Sequence, residues 1–393
     1  QVLHPANIES SSHKGLPVVA RVAVDMSEPL PLRSEPFDLD DVIVGTSPLG
    51  GIGKSLGDEN AIEIVARCVE VGFREFDTAP LYGLGSAEVR LGEGLRRGAA
   101  RATTSDQRAK RLLRDEIRVW TKVGRVMKAR DALVEGDEVE EANVPGAPGM
   151  IYSDCPDVVP VLDYTAKGVM ASWDDSMGRL GDDIVLAGLR CHDPETPELE
   201  KAALKGSLPG LGNLRANING PWSDHPAPMM VGLGLNDAGV AARILDETNP
   251  PSGTPPPHAL DALMLAGRWH LLEQSGAAVL ATCAARGIQV HVAGIYASGL
   301  LAGGSTYEYR PATAAHLAKR DAWASLCATH GVSLKAAAVA FAFLPAAVDR
   351  VAVGIGEAAF VDETVSLVAA AAAVPAALWT AAVAEGLLAP DVL

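Results

Sequence analysis

Metal-ligand spacing is the first thing missing from this chain of 393 residues: its five cysteines, Cys68, Cys155, Cys191, Cys283 and Cys327, form no CxxC pair and no Cys/His cluster. An odd count without such spacing favours a reducing compartment, so the expected location is cytoplasmic and no metal is expected. Also missing is a start segment joining a basic region to an apolar run and a small-residue cleavage site, so secretion is not indicated. The most apolar stretch, Leu367 to Ala384, is mostly alanine and is broken by Pro375, which reads as a packed helix pair rather than a membrane span. Positive charge is scarce as well. With 33 Lys and Arg against 49 Asp and Glu the formal charge is −16, which repels phosphate backbones and anionic lipid, so neither nucleic acid nor membrane is an expected partner. Neither of two common phosphate-binding loops is spaced correctly. In Gly50-Gly-Ile-Gly-Lys-Ser55 the first glycine a P-loop requires falls on Pro48, and Gly51, Gly53 and Gly57 miss the GxGxxG interval.

What the chain does have is 48% hydrophobic residues, enough to bury a large core. Residues 1–40 are polar and dotted with proline and read as an N-terminal extension; 41–393 read as a single barrel domain including C-terminal helices. Within it short β-rich runs alternate with longer helical patterns. The expected strands are Val42–Gly45, Glu75–Asp77, Ile117–Lys122, Ile184–His192, Met229–Leu233, Ala262–Ala266, Gln289–Ala293 and Val348–Val353. The expected helices include Asp58–Val71, Ser86–Arg97, Lys167–Leu180, Pro197–Leu204, Asp237–Glu247, Leu271–Arg286, Ala314–His330 and Leu334–Phe343. That order makes the fold class α/β and predicts a (β/α)8 barrel, with a doubly wound sheet as the rival. Connections 124–164 and 299–313 follow strands and should overhang the active face, whereas 98–116 and 205–228 follow helices and should lie opposite.

Four polar residues stand at the ends of these strands. Asp77 closes the second and is followed five residues on by Tyr82; Lys122 and His192 close the next two, each after an apolar run. A buried lysine is costly unless paired, and Asp77 on the neighbouring strand is its natural partner. Read one at a time, these could be a cap, a packing aromatic, a structural ion pair and a core histidine. Together they make a proton-transfer site for a carbonyl. A lysine cation beside a phenol favours its ionised form and brings it toward working range, and a neutral imidazole can donate to the reacting oxygen. Trp120 is expected to alternate away from the Lys122 face, into the core.

The blocks Asp77-Thr-Ala-Pro-Leu-Tyr-Gly83, Thr121-Lys-Val-Gly-Arg125, Ser176-Met-Gly-Arg-Leu-Gly181, His192-Asp-Pro194, Val231-Gly-Leu-Gly-Leu-Asn236, Ser298-Gly-Leu-Leu301 and Pro375-Ala-Ala-Leu-Trp379 resemble the aldo-keto reductases. The branch they resemble holds the D-threo-aldose, L-galactose, D-arabinose and pyridoxal dehydrogenases. The resemblance implies a barrel that binds a nicotinamide dinucleotide, with Tyr82, Lys122, Asp77 and His192 as the catalytic set. It also implies cofactor contacts at Asn236, at Tyr296, Ser298, Gly299 and Leu301, and at Gly354, Gly356 and Glu357. The cofactor is NAD or NADP. Segment 354–360 has no Lys or Arg to meet a 2′-phosphate, which favours NAD unless a basic residue reaches in from another loop. The implied function is oxidoreduction at a small-molecule carbonyl or hemiacetal carbon, with aldose to lactone as the expected reaction and Tyr82 exchanging the proton. The alternatives are an NADPH-dependent aldehyde or ketone reductase and a cofactor-sensing relative with little turnover. On the walls, Asp131, Glu135, Asp137, Glu138, Glu140 and Glu141 read as a solvated acidic surface.

Overall fold

Short strands joined by longer helices can hydrogen-bond in parallel only if each connection crosses back over the sheet, and closing that sheet leaves no edge. The computed structural model describes residues 30–147, 150–153, 155–220, 225–226 and 228–392. Eight parallel strands close into a barrel. They are β1 Val42–Gly45, β2 Glu75–Asp77, β3 Arg118–Val123, β4 Leu186–His192, β5 Met230–Leu235, β6 Ala262–Ala266, β7 Gln289–Ala293 and β8 Arg350–Gly354. They follow one another around the barrel in chain order, and β8 closes it on β1 with Val42 opposite Val351 and Gly45 opposite Gly354. The expected strands are all present, their ends within two residues of expectation.

Alternation along each strand separates two environments. Outward side chains such as Val44, Phe76, Leu189, Leu233, Leu265 and Val292 join the helices in one large core. Inward, Ile43, Met264 and Ala352 form a small apolar cluster, and much of the rest of the interior is polar. It holds Glu75, Asp77, Lys122, Arg190, His192 and His291, all buried. Two glycines make room for this. A Cβ at Gly188 would come within 2.4 Å of the Trp120 ring, and one at Gly232 within 3.0 Å of the Arg190 side chain. Trp120 therefore lies inside the barrel on the same face as Lys122, two residues along a strand, not on the opposite face as expected; it is core nonetheless, with 0% exposure.

Helices Asp106–Arg111 and Leu208–Ile218 occupy connections where none was expected. The second runs on without a break from the expected helix at Pro197 through a π-helical turn, Ala203–Ser207, and Pro209 is tolerated just past that turn, where the regular i to i−4 ladder is already interrupted. Connection 124–164 is built around an antiparallel hairpin pairing Arg125–Ala129 with Val158–Leu162. Its acidic residues are not all solvated: Glu140 binds the Arg125 guanidinium through both oxygens at 2.7 and 2.8 Å, and Asp137 meets Lys128 at 2.6 Å.

The folded body starts before Asp41. Leu32 bridges to Pro345, Arg33 donates to the Val348 carbonyl at 2.8 Å, and Phe37 stacks on Phe343 at 4.2 Å. Residues 1–29 of the expected extension lie outside the described residues. Near the C-terminus, helices Ala358–Ala371 and Ala376–Ala384 meet at 81°, and no single helix among the described residues is long and apolar enough to cross a membrane.

Candidate active site

β2 ends at Asp77, and the chain turns at once into the short helix Tyr82–Gly85, which carries the phenol back over the barrel mouth. β3 brings Lys122 alongside. Its Nζ donates to Asp77 Oδ1, to the Thr78 carbonyl at 2.8 Å and to the Tyr82 hydroxyl at 3.1 Å. An ammonium has three donors, and here each has an acceptor. The Tyr82 oxygen accepts from lysine, so its own hydrogen is left to point elsewhere. From β4, His192 presents its ring edge to Tyr82, with ring centres 5.9 Å apart. The structure thus brings Asp77, Tyr82, Lys122 and His192 to one place at the C-terminal mouth of the barrel.

The end of β4 is held from outside. The His192 carbonyl accepts from the Tyr164 hydroxyl and from Arg125 Nη1 at 3.0 Å, and Ser172 donates to the Arg125 carbonyl at 3.0 Å. Just after it, Asp193 sits in the left-handed region at φ 45°. That conformation is costly for a residue with a side chain and here sets a carboxylate oxygen 3.4 Å from His192 Nε2.

Burial governs the ionisation of these groups. It pushes the Tyr82 phenol well above its ordinary range, and nearby Asp77, Tyr152, Asp193 and Tyr309 push the same way. The free protein therefore carries a protonated phenol at neutral pH, not one already brought down by lysine. Burial, then Arg125 and Lys122, hold His192 well below its usual range, so it is neutral. Burial lowers Lys122 while Asp77 opposes the shift, and burial raises Asp193 to about 7.

Two overhanging segments complete the mouth. The Tyr152 ring lies 6.3 Å from Tyr82, and its hydroxyl pairs with Ser47 Oγ at 2.9 Å. Strand-like bonds zip this segment to the loop after β1: Ile52 bridges Tyr152, and the Gly53 N–H donates to the Ile151 carbonyl at 2.9 Å. From the loop after β7, the Tyr309 N–H donates to Ser298 Oγ at 3.3 Å.

The residues expected to touch a cofactor are spread around this mouth. Asn236 is exposed at the end of β5, its amide 3.4 Å from Asp193 Oδ1. Ser298 and Gly299 lie in a left-handed turn at φ 55° and 93°, and Leu301 is buried beneath it. Tyr296 packs on the main core, and its buried hydroxyl finds no hydrogen-bond partner. Gly354, Gly356 and Glu357 line an open groove together with Pro48, Ile52, Lys54, Leu56 and Phe360, about 550 Å³ including space open to solvent. A Cβ at Gly356 would come within 2.9 Å of Pro48. The glycines keep the groove shallow and its backbone approachable, and the helix Ala358–Ala371 opens beside it, which fits part of an anionic dinucleotide. Lys54 reaches in from the β1 loop and meets Glu357 at 2.7 Å. The expectation of NAD rested on there being no cation in 354–360; Lys54 supplies one from outside that segment, which removes the basis for it. Among the described residues no group of three or more His, Cys, Asp or Glu is placed to hold a metal.

Reasoning from sequence passed over Arg190, Asp193, Tyr152 and Lys54. Arg190 had a signal, being a charge two residues before His192 and so on the same strand face; Lys54 stood in the glycine-rich turn set aside for its P-loop spacing, and Tyr152 had none, because only the folding of a long loop brings it in.

The parallel eight-stranded barrel, with its titratable groups gathered at the C-terminal mouth, defines a (β/α)8-barrel enzyme. The chain belongs to the aldo/keto reductase family, whose model matches residues 41–200 and 258–372. It is a nicotinamide-dependent oxidoreductase acting on CH–OH and C=O groups of small molecules. It is 31% identical over 354 residues to D-threo-aldose 1-dehydrogenase from Pseudomonas sp, covering 88% of this chain and 93% of that one. It is 30% identical to pyridoxal 4-dehydrogenase from Microbacterium luteolum over 372 residues, again 88% and 93%. Among solved structures, glycerol dehydrogenase from Gluconobacter oxydans shares the fold at a TM-score of 0.56 and 16% identity, over 93% of this chain and 97% of that one.

Proposed function

We propose that the protein oxidises the anomeric carbon of an aldose, or of a related cyclic hemiacetal, to a lactone, with Tyr82 exchanging the proton. The observation that carries this is the Lys122 ammonium fixed between Asp77 and the Tyr82 oxygen, which leaves the phenol hydrogen free for another acceptor. In the reducing direction Tyr82 gives its proton to the carbonyl oxygen; in the oxidising direction it takes the hydroxyl proton. Neutral His192 donates to the same oxygen and steadies charge developing there. Lys122 keeps the phenol in register, and Asp77 holds Lys122. A bound nicotinamide supplies or accepts the hydride.

Support for a polyhydroxylated substrate comes from the polar rim of Tyr152, Asp193, Asn236 and Tyr309, hydrogen-bonding groups that an apolar aldehyde would cover without matching. The aldose dehydrogenase among its relatives points the same way. Steady-state rates in both directions, with L-galactose and D-arabinose against pyridoxal and benzaldehyde, test it; faster turnover of benzaldehyde than of either sugar would overturn the aldose assignment.

The groove of Gly354, Gly356 and Glu357 takes the far end of the dinucleotide, and Lys54 is the ammonium available for a 2′-phosphate. Lys54→Ala should weaken NADP binding about tenfold and NAD binding less than about twofold, read as Kd by fluorescence titration. Equal losses for both would remove Lys54 from cofactor selection.

A further inference from the structure

Arg190 is a charged side chain that the chemistry above leaves unused. It lies on β4 two residues before His192 and is wholly buried, at 0% exposure. Its Nε donates to Asp77 Oδ2 at 3.0 Å, its Nη2 bonds His291 Nδ1 at 2.7 Å, and its guanidinium sits 3.9 Å from the Trp120 ring centre. Nη1 has no partner. Burial disfavours a guanidinium charge, and an apolar side chain of similar volume would fill this layer with less penalty. Its position explains more than packing does. Asp77 has two oxygens, and each meets a different cation: Lys122 on Oδ1, Arg190 on Oδ2. One carboxylate between two cations leaves a surplus positive charge.

We propose that Arg190 is a positioning residue: by holding one oxygen of Asp77 it leaves the Lys122 ammonium only partly neutralised, so that the surplus charge of the three-group cluster faces the Tyr82 hydroxyl. This rests on Tyr82 being the group that exchanges the proton. The surrounding charges decide the sign. Asp77, Tyr152, Asp193 and Tyr309 all disfavour a Tyr82 phenolate. Lys122, Arg190 and, behind the neutral His192, Arg125 are the cations near it. On the far side Glu75 accepts from Trp120 at 2.7 Å and from Arg350 at 3.3 Å, and Arg350 also meets Asp41 at 3.1 Å. His291 is kept neutral by burial, then by Arg190 and Arg350. Removing the guanidinium charge lets Asp77 neutralise Lys122 fully and withdraws support from the phenolate.

The test is the pH dependence of oxidation, measured with the fastest substrate of the panels above, in Arg190→Gln, Arg190→Lys and His291→Glu. The last keeps the arginine but sets a carboxylate against it, so it remains informative where Arg190→Gln does not fold. In Arg190→Gln and His291→Glu the rising limb of kcat should move up by about one pH unit, a tenfold lower rate along that limb. Arg190→Lys, which retains the charge, should keep the wild-type limb, and nucleotide Kd should stay constant throughout. A folded Arg190→Gln or His291→Glu with an unmoved limb overturns the proposal. No nicotinamide-linked turnover in the wild type, or Tyr82→Phe at full rate, would instead sink the reading on which it rests.

Discussion

Tyr82→Phe should lower kcat about a thousandfold in both directions, a loss of about 4 kcal/mol in transition-state stabilisation, while nucleotide Kd stays within about twofold. The ring itself is retained, so its packing against Lys122, whose Nζ lies 4.6 Å from the ring centre, and its edge contact with His192 survive. What disappears is the hydroxyl and, with it, one of the three acceptors of the lysine. Unchanged kcat would show that the proton travels by another group. The wild type has a matching pH signature. Because burial raises the phenol well above its ordinary range, its protonated form persists through neutral pH. Reduction should therefore be nearly level with pH across that range, whereas oxidation, which needs the proton acceptor, should rise with pH.

Glu140→Ala should destabilise the protein by about 3 kcal/mol, read as a lower urea midpoint. Its partner Arg125 is almost entirely enclosed, at 6% exposure, and without the bidentate carboxylate it becomes an unpaired buried cation. Replacing both residues, as in Arg125→Met with Glu140→Ala, should recover part of that loss, since no lone charge is then left behind. The same guanidinium holds the His192 carbonyl, so the single variant should also lower kcat. The pH sense follows from Glu140 itself. Burial pushes its carboxyl up, but the Arg125 hydrogen bonds and charge outweigh this and leave it below the ordinary 4.5. A depressed carboxyl contributes stability that is whole above its unfolded value and is lost as pH falls through the folded one. The stability gap between wild type and Glu140→Gln should accordingly close as pH drops below about 4.5.

The barrel was legible because apolar β-rich runs and helical spacing recur in strict alternation, and closure follows from their number and order. Asp77, Lys122 and His192 were legible because a titratable residue ending an apolar run needs a reason to be there. Helix Leu208–Ile218 was missed because Pro209, Gly210 and Gly212 look like a turn, yet the proline follows a π-helical turn that already breaks the regular ladder and the glycines lie where the helix meets its neighbours. The hairpin of Arg125–Ala129 with Val158–Leu162 was missed because its strands pair across the length of an intervening loop. Arg190 was overlooked as one letter in an apolar strand, although counting by two from His192 would have turned it inward. The level of the Tyr82 phenol could not be read at all, because burial and the carboxylates around it exist only after folding.

The bridge between Ile52 and Tyr152 ties together two segments with different neighbours, since Lys54 beside the first faces the groove proposed for the dinucleotide and Tyr152 lies beside the Tyr82 ring. A ligand that shifts either segment drags the other along. Linkage then demands that each guest alter the affinity of the other by the same factor, so this clasp makes the order of arrival at the two sites a thermodynamic matter and not only a question of access.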